Sequence, residues 1–358
     1  MPNISQEKIL VGLSGGVDSA VAALLLKEQG YQVEAAFMKN FSAKINIKGE
    51  CPWLKDREEA YRVAAKLDIP IQTFDFEEVY EKKIVQYIFD TYQAGQTPNP
   101  DVLCNNEIKF KLFLNKALEL GFDKIATGHY ARIKQNKNIF SLLKGLDSNK
   151  DQSYFLAGLN QEQLSKSLFP IGELKKPRVR ELARQAKLPN AERKDSQGIC
   201  FVGKVDLKTW LQQKIKPKTG NIVDTDGNKL GEHQGVWYYT IGQRKGLNIG
   251  GSGPWYVAIK DLDDNKLIVS KSEDDELYTK HIKIHDLHWL GKEYKFPLKA
   301  KAKIRYRQDD QTVTIKAPLT KGVGGFIAEF KQSQKGVASG QTLAVYKKDE
   351  LIASAMIN

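Results

Sequence analysis

The sequence predicts an α/β chain: a doubly wound parallel sheet first, then an all-β carboxyl-terminal module closing as a small barrel. Three observations carry that prediction. The first 130 residues alternate strand-like and helix-like segments, the pattern of a parallel sheet with helices on both faces. A glycine turn, Ser14-Gly15-Gly16-Val17-Asp18-Ser19, joins the first apolar strand to the first apolar helix. From about Gly220 onward the apolar residues recur with period two, as strands require.

Each element has its own justification. Residues 9–11 are apolar and β-branched or Leu, as in a strand buried on both faces, and 20–26 read as a buried helix closed by Gly30. Residues 32–37 resume a strand, 56–67 are helical, 71–74 form a short strand, and 77–94 form a long helix ended by Gly95. The stretch "TPNPDVLCNN" (97–106) is expected to be irregular, because its prolines and asparagines break both ladders. Residues 107–120 are helical again, and 124–127 form a strand ending at Gly128-His129. Residues 151–188 have helical periodicity. Beyond them "DLDDNKLIVS" has a hairpin's charged turn, while "KAKAKIRYRQ" and "QTVTIKA" alternate, and 323–330 and 343–346 continue that pattern.

At 358 residues the chain exceeds one typical core, so two or three domains are expected. Lys and Arg number 55 against 43 Asp and Glu, a net +12 that favours a polyanionic partner. No stretch approaches the length of a membrane span, and residues 1–8 lack a secretory apolar core. Three scattered cysteines, Cys51, Cys104 and Cys200, are too few for a disulfide framework, so a reducing, cytoplasmic setting is expected.

In a parallel sheet, ligands sit beyond the carboxyl ends of the strands, where Ser14 to Ser19, Met38 and Gly128-His129 fall. Gly15 and Gly16 let backbone N–H groups approach phosphates, and Ser14 and Ser19 add hydroxyls. The loop has neither the Gly-Lys-Ser/Thr of a Walker site nor the three glycines of a dinucleotide fingerprint. Asp18 would repel a phosphate unless a cation lay between them, which points to magnesium; otherwise Asp18 is a helix cap. Cys104 lies in a polar, proline-bound stretch rather than a core. Cys200 follows flexible Gly198 and basic Lys194, whose charge would favour a thiolate. Cys200 is alternatively a small buried hydrophobe, as Cys51 is taken to be.

The string S-G-G-V-D-S after a buried strand resembles the PP-loop of the ATP pyrophosphatases, which have an adenine nucleotide alpha hydrolase-like fold and release pyrophosphate while adenylating an oxygen. The strings "GLSGGVDS", "FMKN", "TPNPDVLCNNEIKF", "ATGHYAR", "GLDSNKDQSYFL", "KDSQGICF", "GEHQG" and "TIGQRKGL", in that order, resemble the tRNA-specific 2-thiouridylases. The segment "SAKINIKGECPWLKD" after "MKN" departs from that family's acidic pattern.

The resemblance implies a PP-loop domain over residues 1–165, with 188–205 returning to it. A middle tRNA-binding domain over 166–275 and a carboxyl-terminal β-barrel over 276–358 would follow. It implies ATP at Gly12, Leu13, Ser14, Gly15, Gly16, Val17, Asp18 and Ser19, with Met38 and Gly128 near adenine and ribose and Asp18 on Mg2+. A flipped wobble uridine would be adenylated at its C2 oxygen, then attacked by a persulfide on Cys200 loaded by a donor or relay protein. Cys104 would release the sulfide or resolve the adduct as a Cys104–Cys200 disulfide. Asp101 would act as general acid or base; its other reading is an Asx-turn. For tRNA the resemblance implies Asn99, Pro100 and Asp101 at the target base. His129, Lys150, Asp151 and Gln152 would lie along the strand, with Arg305, Tyr306 and Gln341 on the barrel. His129 is alternatively a satisfied strand-end histidine. Three other functions remain open at this level: a PP-loop ligase without catalytic cysteines, a non-enzymatic RNA binder, and an enzyme holding an iron–sulfur cluster on Cys104, Cys200 and Asp101.

Overall fold

The structure, a computed structural model, describes residues 7–42, 52–194, 206–250, 254–272, 274–317 and 325–358. Cys51 and Cys200, and most of 188–205, lie outside them.

Lys8–Gly12 (β1), Gln32–Lys39 (β2), Ile71–Asp75 (β3), Lys124–Ala126 (β4) and Ser167–Leu168 form one parallel sheet, ordered β3-β2-β1-β4 with Ser167–Leu168 outside β4. Alternation along the strands splits two cores. Ile9, Val11, Ala35 and Phe37 pack with the helices Val17–Glu28 (α1), Pro52–Leu67 (α2) and Lys176–Gln185. Leu10, Ala36 and Met38 face the other way, onto the helical runs 77–93 and 100–119. The sheet is therefore doubly wound. Its winding reverses between β1 and β4, which puts the loop 12–19 at the switch point. Ile171, Val179, Ala183, Leu188 and Ala191 share the first core, so this layer continues beyond residue 165.

Gly220–Val223, Lys229–His233, Trp255–Asp261 and Lys266–Lys271 make a separate four-stranded sheet. "DLDDNKLIVS" closes its expected hairpin, with Asn265 at a φ of 50°. Six further strands, Tyr278–Trp289, Leu298–Lys303, Gln311–Lys316, Phe326–Lys335, Thr342–Lys347 and Glu350–Ile357, form a barrel. It closes because Tyr278–Trp289 pairs with both Phe326–Lys335 and Glu350–Ile357, shifting register between His285 and His288. No helix follows residue 290 among the described residues.

Two expectations are corrected, and one element is added. The stretch 97–106 is not irregular throughout: Pro100–Cys104 is helical and continues as a π-helix, Asn105–Leu112. Proline at the first helical position forfeits no internal bond, and Asn99 caps it. Residues 151–188 are helical only at 153–156, 161–165 and 176–185, with the strand Ser167–Leu168 between. Ala131–Asn136 and Ile139–Lys144 form a hairpin, unread in the sequence, that pairs through Leu142 and Leu143 with the last barrel strand. The first domain thus lends two strands to the barrel's sheet.

Candidate active site

The loop after β1 is shaped by its own hydroxyls. Ser14 N–H donates to Ser19 Oγ (3.2 Å), Gly16 N–H to Ser14 Oγ (3.4 Å), and Ser19 Oγ to Gly16 O (3.1 Å). Gly15 needs its glycine: φ is +77°, and a Cβ would lie 2.4 Å from Asp56 O. Gly128 needs its own too, because a Cβ there would lie 2.5 Å from Ser19 N. The end of β4 thus abuts the α1 N-terminus, where backbone N–H groups and the helix dipole favour an anion. Leu13 and Val17 are buried, so they can meet a ligand only through backbone. Met38 packs beside Gly12, its terminal methyl 3.1 Å from where a Cβ would sit.

Asp18 does not cap α1; no side-chain bond closes that end. Its carboxylate accepts from Tyr130 Oη (2.8 Å) and takes both oxygens to Lys176 Nζ (2.8 and 2.9 Å). A divalent cation here would have to displace that ammonium. Among the described residues, no group of three or more His, Cys, Asp or Glu side chains is placed to hold a metal. In this structure Asp18 is paired with Lys176, so the expected magnesium role would require that pair to open. A cation beside this loop is Lys176, at the start of the helix Lys176–Gln185. The same segment braces the loop further on, where Asn190 Nδ2 (2.9 Å) and Arg193 Nη1 (3.2 Å) donate to Gly15 O. Arg193 also pairs with Asp56 of α2.

Cys104 is not in a polar loop. It is fully buried, on a helix facing the core that holds Phe110 and Phe113. Asn99 Oδ1 accepts from Val102 N–H (3.4 Å), and Asp101 occupies the first turn, where the dipole favours a carboxylate. Asp101 and Cys104 are i, i+3 neighbours on one helix face.

The residues expected at tRNA divide. Asn99, Tyr306 and Gln341 cluster where the first domain meets the barrel, around Tyr154, which was not among them. Tyr154 Oη donates to Thr342 O (2.9 Å), the Phe155 and Tyr306 rings lie 4.3 Å apart, and Gln341 Nε2 donates to Pro98 O (2.7 Å). Arg305 donates to Lys335 O (2.8 Å) and lines an open groove with Tyr306, Arg307 and Lys335. Lys150 lies half-buried beside this cluster in sequence. Asp151 is buried and turned inward, accepting from the N–H groups of Gly145 (3.1 Å) and Ser153 (3.0 Å). Gln152 Oε1 accepts from Tyr130 N–H (2.9 Å), so Tyr130 and Gln152 link the glycine loop to the Asn99 cluster. His129 is 8% exposed, packed against Phe110 and Phe169, with Nδ1 2.7 Å from Thr127 Oγ1. Burial, aided by Lys109, holds its pKa well below the ordinary value. Its ring is packed into the fold rather than exposed.

Sequence reasoning missed Tyr130, Lys176, Asn190, Arg193, Tyr154 and Thr342. Lys175-Lys176-Pro177 opening a helix was the one local signal.

The family described as tRNA methyl transferase HUP domain matches residues 7–204, more than half of the chain. The families described as tRNA methyl transferase PRC-barrel domain and aminomethyltransferase beta-barrel domain match 208–271 and 279–357. The chain is 47% identical over 354 residues to a tRNA-specific 2-thiouridylase MnmA of Shouchella clausii, covering 98% of this chain and 96% of the relative. Proteins of the same name from Flavobacterium johnsoniae (44%, 98% of this chain and 100% of the relative) and Bacillus subtilis (45%, 98% and 95%) are similar to it throughout. With a switch-point glycine loop and a capped cysteine helix in one frame, and relatives matching end to end, this chain belongs to the tRNA-specific 2-thiouridylase family.

Proposed function

We propose that this chain catalyses ATP-dependent 2-thiolation of the wobble uridine of tRNA. The observation that carries the reading is similarity across 98% of the chain to relatives bearing that activity in their names. The nucleotide's phosphates lie along Gly12–Ser19 at the α1 N-terminus, with Lys176 as the adjacent cation. Magnesium enters on the phosphates of ATP, as part of that substrate.

The uridine C2 oxygen attacks the α-phosphorus and pyrophosphate leaves, so a poor leaving oxygen becomes part of an adenylate. The terminal sulfur of a Cys200 persulfide then attacks C2, and AMP departs with the oxygen. The Cys104 thiolate attacks the Cys200 sulfur of the adduct, freeing the 2-thio group and leaving a Cys104–Cys200 disulfide. Alternatively Cys104 attacks the persulfide first and releases the sulfide that attacks C2. Either way an external dithiol must reduce the disulfide, and a persulfide donor or relay protein must reload Cys200. Asp101, one helical turn from Cys104, serves as general acid or base. Because Cys104 is fully buried, its cover must open when the base enters. A reducing cytoplasm suits this chemistry. Among the described residues no helix is long and apolar enough to cross a membrane.

Mass spectrometry of tRNA nucleosides after incubation with ATP, magnesium, a persulfide source and a dithiol tests the reading. The expected product is 2-thiouridine at the wobble position with pyrophosphate release. Unchanged tRNA, or a methylated nucleoside formed only with a methyl donor, would overturn it.

A further inference from the structure

We infer that the carboxyl-terminal barrel positions the Cys104 helix, with Tyr154 and Thr342 as the positioning residues. The inference rests on the reading of Cys104 as a sulfur-transfer thiol. Residues 97–100 lead into that helix and contain two prolines, Pro98 and Pro100, so they have few backbone donors of their own. The barrel supplies the missing partners. Thr97 N–H donates to Ser339 O (2.8 Å), and Gln341 Nε2 donates to Thr97 O (3.1 Å) and Pro98 O (2.7 Å). The turn carrying Gly340 comes so close that a Cβ there would sit 2.8 Å from Thr97 O.

The helix cap is held from the same side. Asn99 Nδ2 donates to Thr342 Oγ1 (3.2 Å) and to Tyr154 Oη (3.3 Å), and Tyr154 Oη donates to Thr342 O (2.9 Å). Asn99 is buried, so a rotated amide would strand both N–H groups away from water. Thr342 on the barrel, and Tyr154 which is itself bonded to Thr342 O, therefore orient Oδ1 toward Val102 N–H, which fixes the first turn. Burial raises the Tyr154 pKa far above the ordinary value, so its hydroxyl keeps the proton it donates. Cys104 closes the same five-residue helix, so a tilt of the cap moves its sulfur directly. This gives Gln341 a partner inside the protein, at the position the sequence assigned to tRNA.

The test compares Tyr154→Phe, Thr342→Val and Thr342→Ser with the wild-type chain. Three quantities are measured: thiolation kcat, tRNA Kd, and the rate at which iodoacetamide alkylates Cys104 without tRNA, read by peptide mass spectrometry. Tyr154→Phe and Thr342→Val should each lower kcat by roughly tenfold, because small misplacements at a reacting centre are costly. Their tRNA Kd should stay within about twofold, since no phosphate contact is removed. Cys104 alkylation should rise several-fold in both variants, and Thr342→Ser, which keeps the hydroxyl, should restore both readouts. Unchanged alkylation and kcat, or weaker tRNA binding at unchanged kcat, would overturn the positioning role. If thiolation is absent even in the wild-type chain, the functional reading fails, and alkylation still decides whether the barrel holds the helix.

Discussion

The glycine loop and the Cys104 helix belong to the same doubly wound domain, yet they are built by opposite means. The loop takes its shape from neighbours in sequence: Ser14, Gly16 and Ser19 bond one another within six residues. The cysteine helix takes its shape from far away, with Asn99 held by Tyr154 and by Thr342, 243 residues distant. Local hydroxyls and glycines impose a backbone whatever surrounds them, whereas a proline-rich segment lacking its own donors adopts what its surroundings satisfy. Charge follows the same division. The loop's backbone is local, but its cations Lys176 and Arg193 come from 158 and 178 residues away.

The largest test of that contrast is Cys104→Ser. Sulfur transfer should fall by at least about a thousandfold, as on loss of a nucleophile, while ATP-dependent pyrophosphate release survives. Normal turnover of this variant, followed by 2-thiouridine mass spectrometry, would make Cys104 structural. Asp18→Ala comes next. It leaves Lys176 without its carboxylate in a largely buried site, so pyrophosphate release should fall about a hundredfold and stability by about 2 kcal/mol. Binding of tRNA, read by filter retention, should be unaffected. Retained pyrophosphate release would break the assignment of Lys176 to the phosphates.

Gly128→Ala probes the close approach of β4 to α1. Its methyl would meet Ser19 N and Asp18 C at 2.5–2.6 Å, so the backbones must part, at about 1–3 kcal/mol. A thermal melt should show that loss, with weaker ATP binding by calorimetry and unaltered tRNA affinity. The smallest effect concerns His129. Its folded pKa lies below the ordinary 6.5, so below that pH the unfolded chain binds a proton that the folded chain refuses. Stability is full above about pH 6.5 and declines as pH falls, by at most about 1.4 kcal/mol per unit from this group. Replacing His129 with Gln should flatten urea-unfolding free energies between pH 6.5 and 5. A slope equal to that of the unmodified chain would mean that His129 is solvated or charged in the fold.

Sequence periodicity alone was enough for the doubly wound sheet, the late turn to β structure and the place of the glycine loop at the strand ends. These depend on alternation, helical spacing and glycine, all readable within a dozen residues. The helix through Cys104 escaped because two prolines look like breakers unless one sits at the first helical position behind a capping Asn99. The hairpin 131–144 pairs mostly within itself and was simply unread, whereas its attachment to the barrel strand Glu350–Ile357, some 200 residues later, has no local signal. His129, Asp151 and Asn99 look like polar contacts in the sequence, but each is buried and bonded inward. By itself, the sequence determined the backbone of the anion site, the residue types available to it and the family. Only the tertiary structure decided that Asp18 pairs with Lys176, and that barrel residues bond the segment leading into the cysteine helix. Those pairings cross 158 and 243 residues of chain, and no local pattern encodes which distant group will satisfy a buried donor or charge.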